Sequence, residues 1–146
     1  MEHSGYWIVD DYGMEVALIG LNATLRDYAK FGRLYLKKGN WQGVQVVPEK
    51  WVVASTTADA PYLMPGKNIL PDIEFGYGYQ WWIPESNEGE FIALGHSSQQ
   101  IYINPSTQTV IVKNSANHRF TEKGNAYAQS AIVLELFRAI AHRNKD

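Results

Sequence analysis

The chain has no cysteine among its 146 residues, which excludes disulfides and thiolate metal sites. It has no basic block either. Its 13 Lys and Arg face 15 Asp and Glu, for a net charge of −2, and no nucleic-acid partner is expected. No apolar run reaches the roughly 18 residues a membrane-spanning helix needs, so no membrane span is expected. Met1-Glu2-His3-Ser4-Gly5 lacks a basic start followed by an apolar stretch, so this chain shows no signal peptide: either the protein is cytoplasmic, or any targeting signal lies outside the chain. The four histidines (3, 96, 118 and 142) have no metal-ligand spacing, and neither a metal nor another cofactor is expected. Internal repeats and low-complexity segments are also missing.

What remains is the composition of a globular domain: 45% hydrophobic and 19% charged, in a chain long enough to bury a core. A single domain over 1–146 is expected. The aromatic share is high at 13%, with 5 Trp and 9 Tyr, which can fill a core or line a groove.

Residues 1–20 show no clean period. Thr24 is a good N-cap, with Asp27 three residues on, and Leu25, Tyr28, Ala29, Phe31, Leu34, Tyr35 and Leu36 recur at helical spacing. Lys37 and Lys38 suit the end of this helix, and Gly39 is expected at its C′ position. Asn40 to Gly43 reads as a turn, and Pro48 opens a short helix to about Ser55. The organisation expected is therefore a helical segment 1–56, a long loop over 57–74 with three prolines, then strands and a last helix over 75–146.

Phe75 to Ile83 reads as one strand rich in Tyr and Trp. Glu90–Leu94 and Gln99–Asn104 read as a second strand, bulged where small residues interrupt it, and Thr109–Asn114 as a third. Connections this short cannot hold crossover helices, so the sheet is expected to be antiparallel. A helix from about Glu122 to His142 presents a wide apolar face (Tyr127, Ala131, Val133, Leu134, Leu136, Phe137 and Ile140) and is expected to lie across it. The fold class is α+β: about three antiparallel strands flanked by helices. The second face and outer edge of such a sheet need cover, some of which the early helices can supply.

Three segments carry a resemblance. Gly20-Leu21-Asn22-Ala23-Thr24-Leu25-Arg26-Asp27-Tyr28-Ala29-Lys30-Phe31-Gly32 resembles the "GLNATARDxARFG" segment of class C β-lactamase-like serine hydrolases. That group includes penicillin-binding proteins, esterases and nylon-oligomer hydrolases. Gly76-Tyr77-Gly78-Tyr79-Gln80-Trp81-Trp82 resembles the family's aromatic strand, and Ala93 to Pro105 resembles its "AxGHGGQxIxVxP" segment. The resemblance implies a fold that joins an α/β part to an all-helical part. It implies three motifs: S-x-x-K with the nucleophile, Y-x-N with a proton-transfer group, and a K-T-G-like or H-x-G-like segment lining the cleft. By resemblance this chain is the C-terminal half, carrying the third motif alone.

No Ser is followed three residues later by Lys. Tyr102-Ile103-Asn104 fits Y-x-N only in letters, since it alternates within a strand, and Ser115-Ala116-Asn117 fits the S-x-N variant equally loosely. Gly95 to Gln99 nearly fits G-x-S-x-G, but the elbow needs a strand, a turn and then a helix, and a strand follows here.

The resemblance places His96, Ser97, Ser98 and Gln99 in the cleft. His96 would position substrate and proton-transfer groups, and the Gln99 N–H would complete an oxyanion hole. Ser98 stands where the family has Gly, so its side chain is expected to crowd bound acyl groups. The plain reading of His96 is a polar residue at a bulge. Tyr79, Trp81 and Trp82 are candidate substrate-binding residues. On one strand Tyr77, Tyr79 and Trp81 would share one face, and Gln80 and Trp82 the other; core packing is the favoured account.

The reading is thus a fragment of a β-lactamase-like serine hydrolase, acting in the intact protein on amide or ester bonds of a small molecule through an acyl-enzyme, and inactive alone. Two alternatives stay open. One is a non-catalytic glycan- or peptidoglycan-binding module anchored by Trp41, Trp81 and Trp82. The other is a partner-dependent subunit. An excised half is expected to self-associate through its open face. Family members are often exported, so the resemblance points to a periplasmic or secreted protein.

Overall fold

The computed structural model describes residues 1–16, 19–66, 74–120, 122 and 125–143, and of 125–128 the backbone alone. Among the described residues there are three α-helices: α1 (Leu25–Leu36), α2 (Glu49–Ser55) and α3 (Asn125–Arg143). β1 (Asn40–Trp41) and β2 (Val44–Gln45) form a small hairpin. β3 (Gly76–Tyr77), β4 (Trp82–Ile83), β5 (Phe91–Gly95), β6 (Gln99–Asn104) and β7 (Thr109–Lys113) form one antiparallel sheet in chain order. The class is α+β, as the sequence predicts, but the sheet has five strands rather than about three.

Both extra strands come from segments that double back. Residues 75–83 turn through Gly78–Trp81, with Gln80 at φ 68°, so that Gly76 pairs with Ile83 and Tyr77 with Trp82. The expected bulged strand is likewise a hairpin, β5–β6, closed at His96–Ser98. The face assignments drawn for a single strand over 75–83 therefore do not hold.

None of the described residues before Leu25 is helical: Tyr6 bridges to Asn22 and Val9 to Glu15 in antiparallel fashion. Thr24 caps α1, its hydroxyl oxygen accepting from Asp27 N–H at 3.2 Å. Asp27 is buried and accepts from the Glu2 and His3 N–H groups, which ties the start of the chain to the helix. Burial opposes ionisation of Asp27, but the bonds from Glu2, Thr24 and His3 outweigh it and hold the carboxyl below its ordinary value. At the far end, Lys38 takes the left-handed C′ position (φ 52°) and Gly39 (φ 81°) comes one residue later than expected. Their N–H groups reach Tyr35 and Leu34 carbonyls at 2.9 and 2.8 Å, a Schellman ending. Residues 57–66 include one 3-10 turn (Pro61–Leu63), and the rest of the expected loop up to 73 lies outside the described residues.

Side-chain alternation divides the core into two clusters. Phe91 and Ile103 face α1 and α2, packing with Tyr35, Val52 and Trp81. Ile92 and Tyr102 face α3, packing with Phe75, Leu134, Phe137 and Ala141. Among the described residues both faces of the sheet carry packed helices, which gives the expected self-association through an open face no support. Gly32 lets α1 lie close: a Cβ there would sit 2.7 Å from Val110 Cγ1. The apolar face of α3 is only partly used, since Ile132, Leu136 and Ile140 are exposed. Of the expected positions, the Tyr127 side chain lies outside the described residues.

A polar network crosses from sheet to helix. Glu90, 2% exposed, accepts from the Tyr102 hydroxyl at 2.5 Å and from Arg138 Nε at 2.8 Å. Arg138 also reaches the Glu85 carbonyl, and Asn104 Nδ2 donates to Glu88 and to the Tyr102 oxygen. Burial and then the Glu90 bond push the Tyr102 phenol well above its usual value.

Two substitutions test this packing. A Cβ at Gly78 would lie 2.1 Å from the Ser55 carbonyl oxygen, so Gly78→Ala is expected to cost about 3 kcal/mol in denaturant unfolding. Arg138→Met leaves the buried Glu90 carboxylate without its cation and is expected to cost roughly 3 kcal/mol in the same measurement.

Candidate active-site turn

The segment His96-Ser97-Ser98-Gln99 is a tight turn. Gln99 N–H donates to the His96 carbonyl, and the two central residues are left-handed, with φ of 59° at Ser97 and 65° at Ser98. That is the form of a type I′ turn, which favours Gly at both central positions. The family segment quoted above has Gly-Gly there. This chain holds two serines in a conformation that costs an L-residue on the order of 1–2 kcal/mol each.

Neighbouring groups hold the turn in place. Asn117 N–H donates to the Ser97 carbonyl at 3.3 Å, and the Lys113 ammonium donates to the Ser98 carbonyl at 2.7 Å. The Ser98 side chain is 4% exposed; its hydroxyl oxygen accepts from Asn117 Nδ2 at 3.2 Å and lies 3.4 Å from Gln129 Oε1 on α3. Asn117 Nδ2 also donates to Gln129 Oε1 at 2.8 Å. The His96 ring packs on Phe120 with centroids 4.9 Å apart, and its Nδ1 shares a hydrogen bond with Ser97 Oγ at 2.8 Å.

Two cavities flank the turn. A smaller one, about 260 Å³, lies toward α3 among Trp82, His96, Ser98, Phe120 and Ser130. A larger one, about 680 Å³, opens on the other side, between the ends of β5–β7, Tyr28 of α1 and the segment holding Trp7, Ile8, Ile19 and Leu21. His96 and Gln99 border both.

The candidate residues are thus only partly together. His96, Ser98, Gln99 and Trp82 meet at the smaller cavity. Ser98 turns its hydroxyl toward Asn117 and Gln129. The Gln99 N–H closes the turn on His96 instead of pointing into a cavity. Trp81 is 3% exposed and belongs to the core with Tyr35 and Phe91. Tyr79 stacks on Trp51 and donates to Asp59, and it borders neither cavity. Trp41 lies under the Arg33 guanidinium, so Trp41, Trp81 and Trp82 occupy three separate settings and form no common platform. Tyr102 and Asn104 are fully buried in the Glu90 network and border neither cavity.

Sequence reasoning missed Lys113, Phe120 and Gln129 altogether and met Asn117 only as a loose motif fit. No spacing marks them, because they are 15 to 31 residues from the turn they hold. Among the described residues the Ser97 hydroxyl bonds to His96 alone, so Ser97→Gly removes strain at little loss. It is expected to stabilise the chain by about 1 kcal/mol in denaturant unfolding, with a smaller gain for Ser98→Gly, which also gives up the Asn117 bond.

No protein-family model matches the chain. The 6-aminohexanoate-dimer hydrolase of Paenarthrobacter ureafaciens is 30% identical over 133 residues, covering 90% of this chain and 34% of that protein. A solved structure of a candidate 6-aminohexanoate-dimer hydrolase from Bacillus anthracis superposes with a TM-score of 0.80 and 31% identity, over 99% of this chain and 35% of that one. The chain therefore spans about a third of the length of the relatives it matches, less than the half expected. In sequence and in fold alike, it is related over nearly all its length to part of the 6-aminohexanoate-dimer hydrolases, and so to the β-lactamase-like serine hydrolases its motifs resemble.

Proposed function

We propose that this chain is the C-terminal part of a serine hydrolase that cleaves amide or ester bonds in small linear molecules through an acyl-enzyme. The observation that carries the reading is the near-complete match of the chain to a third of two hydrolase relatives, with the His96 turn set between two cavities. The nucleophile and its base belong to sequence outside these 146 residues. The chain supplies one wall of the cleft. His96 is poised at its edge to orient a substrate carbonyl or the proton-transfer groups, and Trp82 and Phe120 shape the wall behind it. The strain in the turn fits this assignment, since sparsely populated backbone conformations gather where a site needs a fixed geometry.

Without the nucleophile the chain has no route to an acyl-enzyme, and the remaining groups give little catalysis alone. The turn serines do not replace it. Ser98 is buried beneath Asn117, and Ser97 has only His96 beside it, with no third group orienting the imidazole among the described residues.

Labelling with a fluorescent penicillin and a fluorophosphonate, followed by mass spectrometry, tests the reading. It is run on this chain and on the longest open reading frame that contains it. A covalent adduct is expected only on the longer protein, at a Ser preceding Met1. An adduct at Ser97 or Ser98 of the isolated chain would overturn the assignment of the nucleophile. Absence of any adduct from both would overturn the hydrolase reading.

A further inference from the structure

We propose that Ser97 is a positioning residue for His96: its hydroxyl donates to His96 Nδ1, which keeps the imidazole proton on Nε2 and makes that nitrogen a hydrogen-bond donor toward a substrate carbonyl. The inference rests on the hydrolase reading for its use in a reaction, and deepens it by giving His96 one role. The tautomer itself stands on the geometry of the turn.

Ser97 sits at φ 59° and ψ 28°, a conformation that glycine adopts freely and an L-residue does not. A serine held there needs a gain from its side chain. Closure of the turn does not supply it, because Gln99 N–H donates to the His96 carbonyl and Asn117 N–H holds the Ser97 carbonyl at 3.3 Å. Both of those bonds use backbone atoms of the turn and survive with glycine at 97. The Ser98 hydroxyl meets Asn117 and Gln129, so it has a structural use. The Ser97 hydroxyl has one hydrogen bond among the described residues, to His96 Nδ1 at 2.8 Å. Orientation of the imidazole is the gain that sets off the strain.

The ring is held at two places. It packs on Phe120, with centroids 4.9 Å apart, and its Nδ1 meets Ser97. Phe120 N–H donates to the Asn117 carbonyl at 3.2 Å, so one short stretch of chain steadies both the ring and the Ser97 carbonyl. In a neutral imidazole one nitrogen donates and the other accepts, and the bond made at one decides where the proton lies. Nδ1 is the acceptor that the Ser97 O–H meets among the described residues, and accepting there leaves the ring proton on Nε2. Nε2 has no hydrogen-bond partner among the described residues, and the side chain that carries it borders both cavities. A donor held in one direction is what a carbonyl oxygen gaining negative charge requires. The serine beside the histidine thus acts through it and is not a nucleophile activated by it.

The test reads the His96 tautomer in this chain from long-range nitrogen–proton NMR correlations of the imidazole, at about pH 8.5, above the ordinary imidazole range. Two variants separate the hydroxyl from the strain: Ser97→Gly removes both, and Ser97→Ala removes the hydroxyl alone. The native chain is expected to hold Nε2–H about tenfold over Nδ1–H, and both variants to lower that ratio about fivefold despite their different stabilities. A native Nδ1–H tautomer, or a ratio that both variants leave unchanged, would overturn the assignment. A change in one variant alone would trace the effect to the backbone and overturn it equally. In the longest open reading frame the same variants are expected to slow fluorophosphonate labelling about tenfold, and an unchanged rate there would remove Ser97 from the reaction. If the native longer protein takes no label, the hydrolase reading alone falls, because the tautomer measurement needs no nucleophile.

Discussion

The turn at His96–Gln99 is the constraint on which the rest of the sheet depends. It joins β5 to β6 and sets their register, from Gly95 opposite Gln99 to Phe91 opposite Ile103. A slip of one residue would send every side chain to the other face. With this register, Phe91 and Ile103 reach α1 while Ile92 and Tyr102 reach α3, and both core clusters follow. The same register brings Gln100 opposite Lys113, which sets the lysine beside the turn.

Two left-handed serines are an expensive way to make such a turn, and the surroundings show what sustains it. Asn117 and Lys113 hold the two carbonyls, and Asn117 and Gln129 surround the Ser98 hydroxyl. These partners come from β7, the segment after it and α3, so the turn is held by parts that meet only in the folded chain. On the proposed hydrolase reading, this fixity has a use. A wall that faces a reacting bond must not move, and over-determination by several hydrogen bonds is one way to achieve that.

Local signals were legible wherever one residue type has one use. Thr24 and Asp27 marked the start of α1, and the apolar spacing marked its length. Its end was displaced by one residue because Lys38, not a glycine, took the left-handed position. The sequence reads as one bulged strand across β5–β6 because Ser-Ser is not a signature of a type I′ turn, whereas Gly-Gly is. The hairpin β3–β4 was missed for a similar reason: Tyr79 and Gln80 favour strands or tolerate them, yet Gly78 lies so close to the Ser55 carbonyl that the chain doubles back there.

The α+β class, the antiparallel pairing, the first helix and the family resemblance follow from the residues alone. Each rests on short-range pattern: caps, periodicity, loops too short for crossovers, and motif letters. The strand count, the burial of Trp81 against the partial exposure of Trp82, and the place of the Tyr102-x-Asn104 letters in a buried network with Glu90 emerge in the folded chain. It alone decided that Lys113 reaches Ser98. These outcomes depend on which side chains meet across gaps of 12 to 31 residues. Such meetings are set by register and by packing against α1 and α3, and no local pattern encodes them.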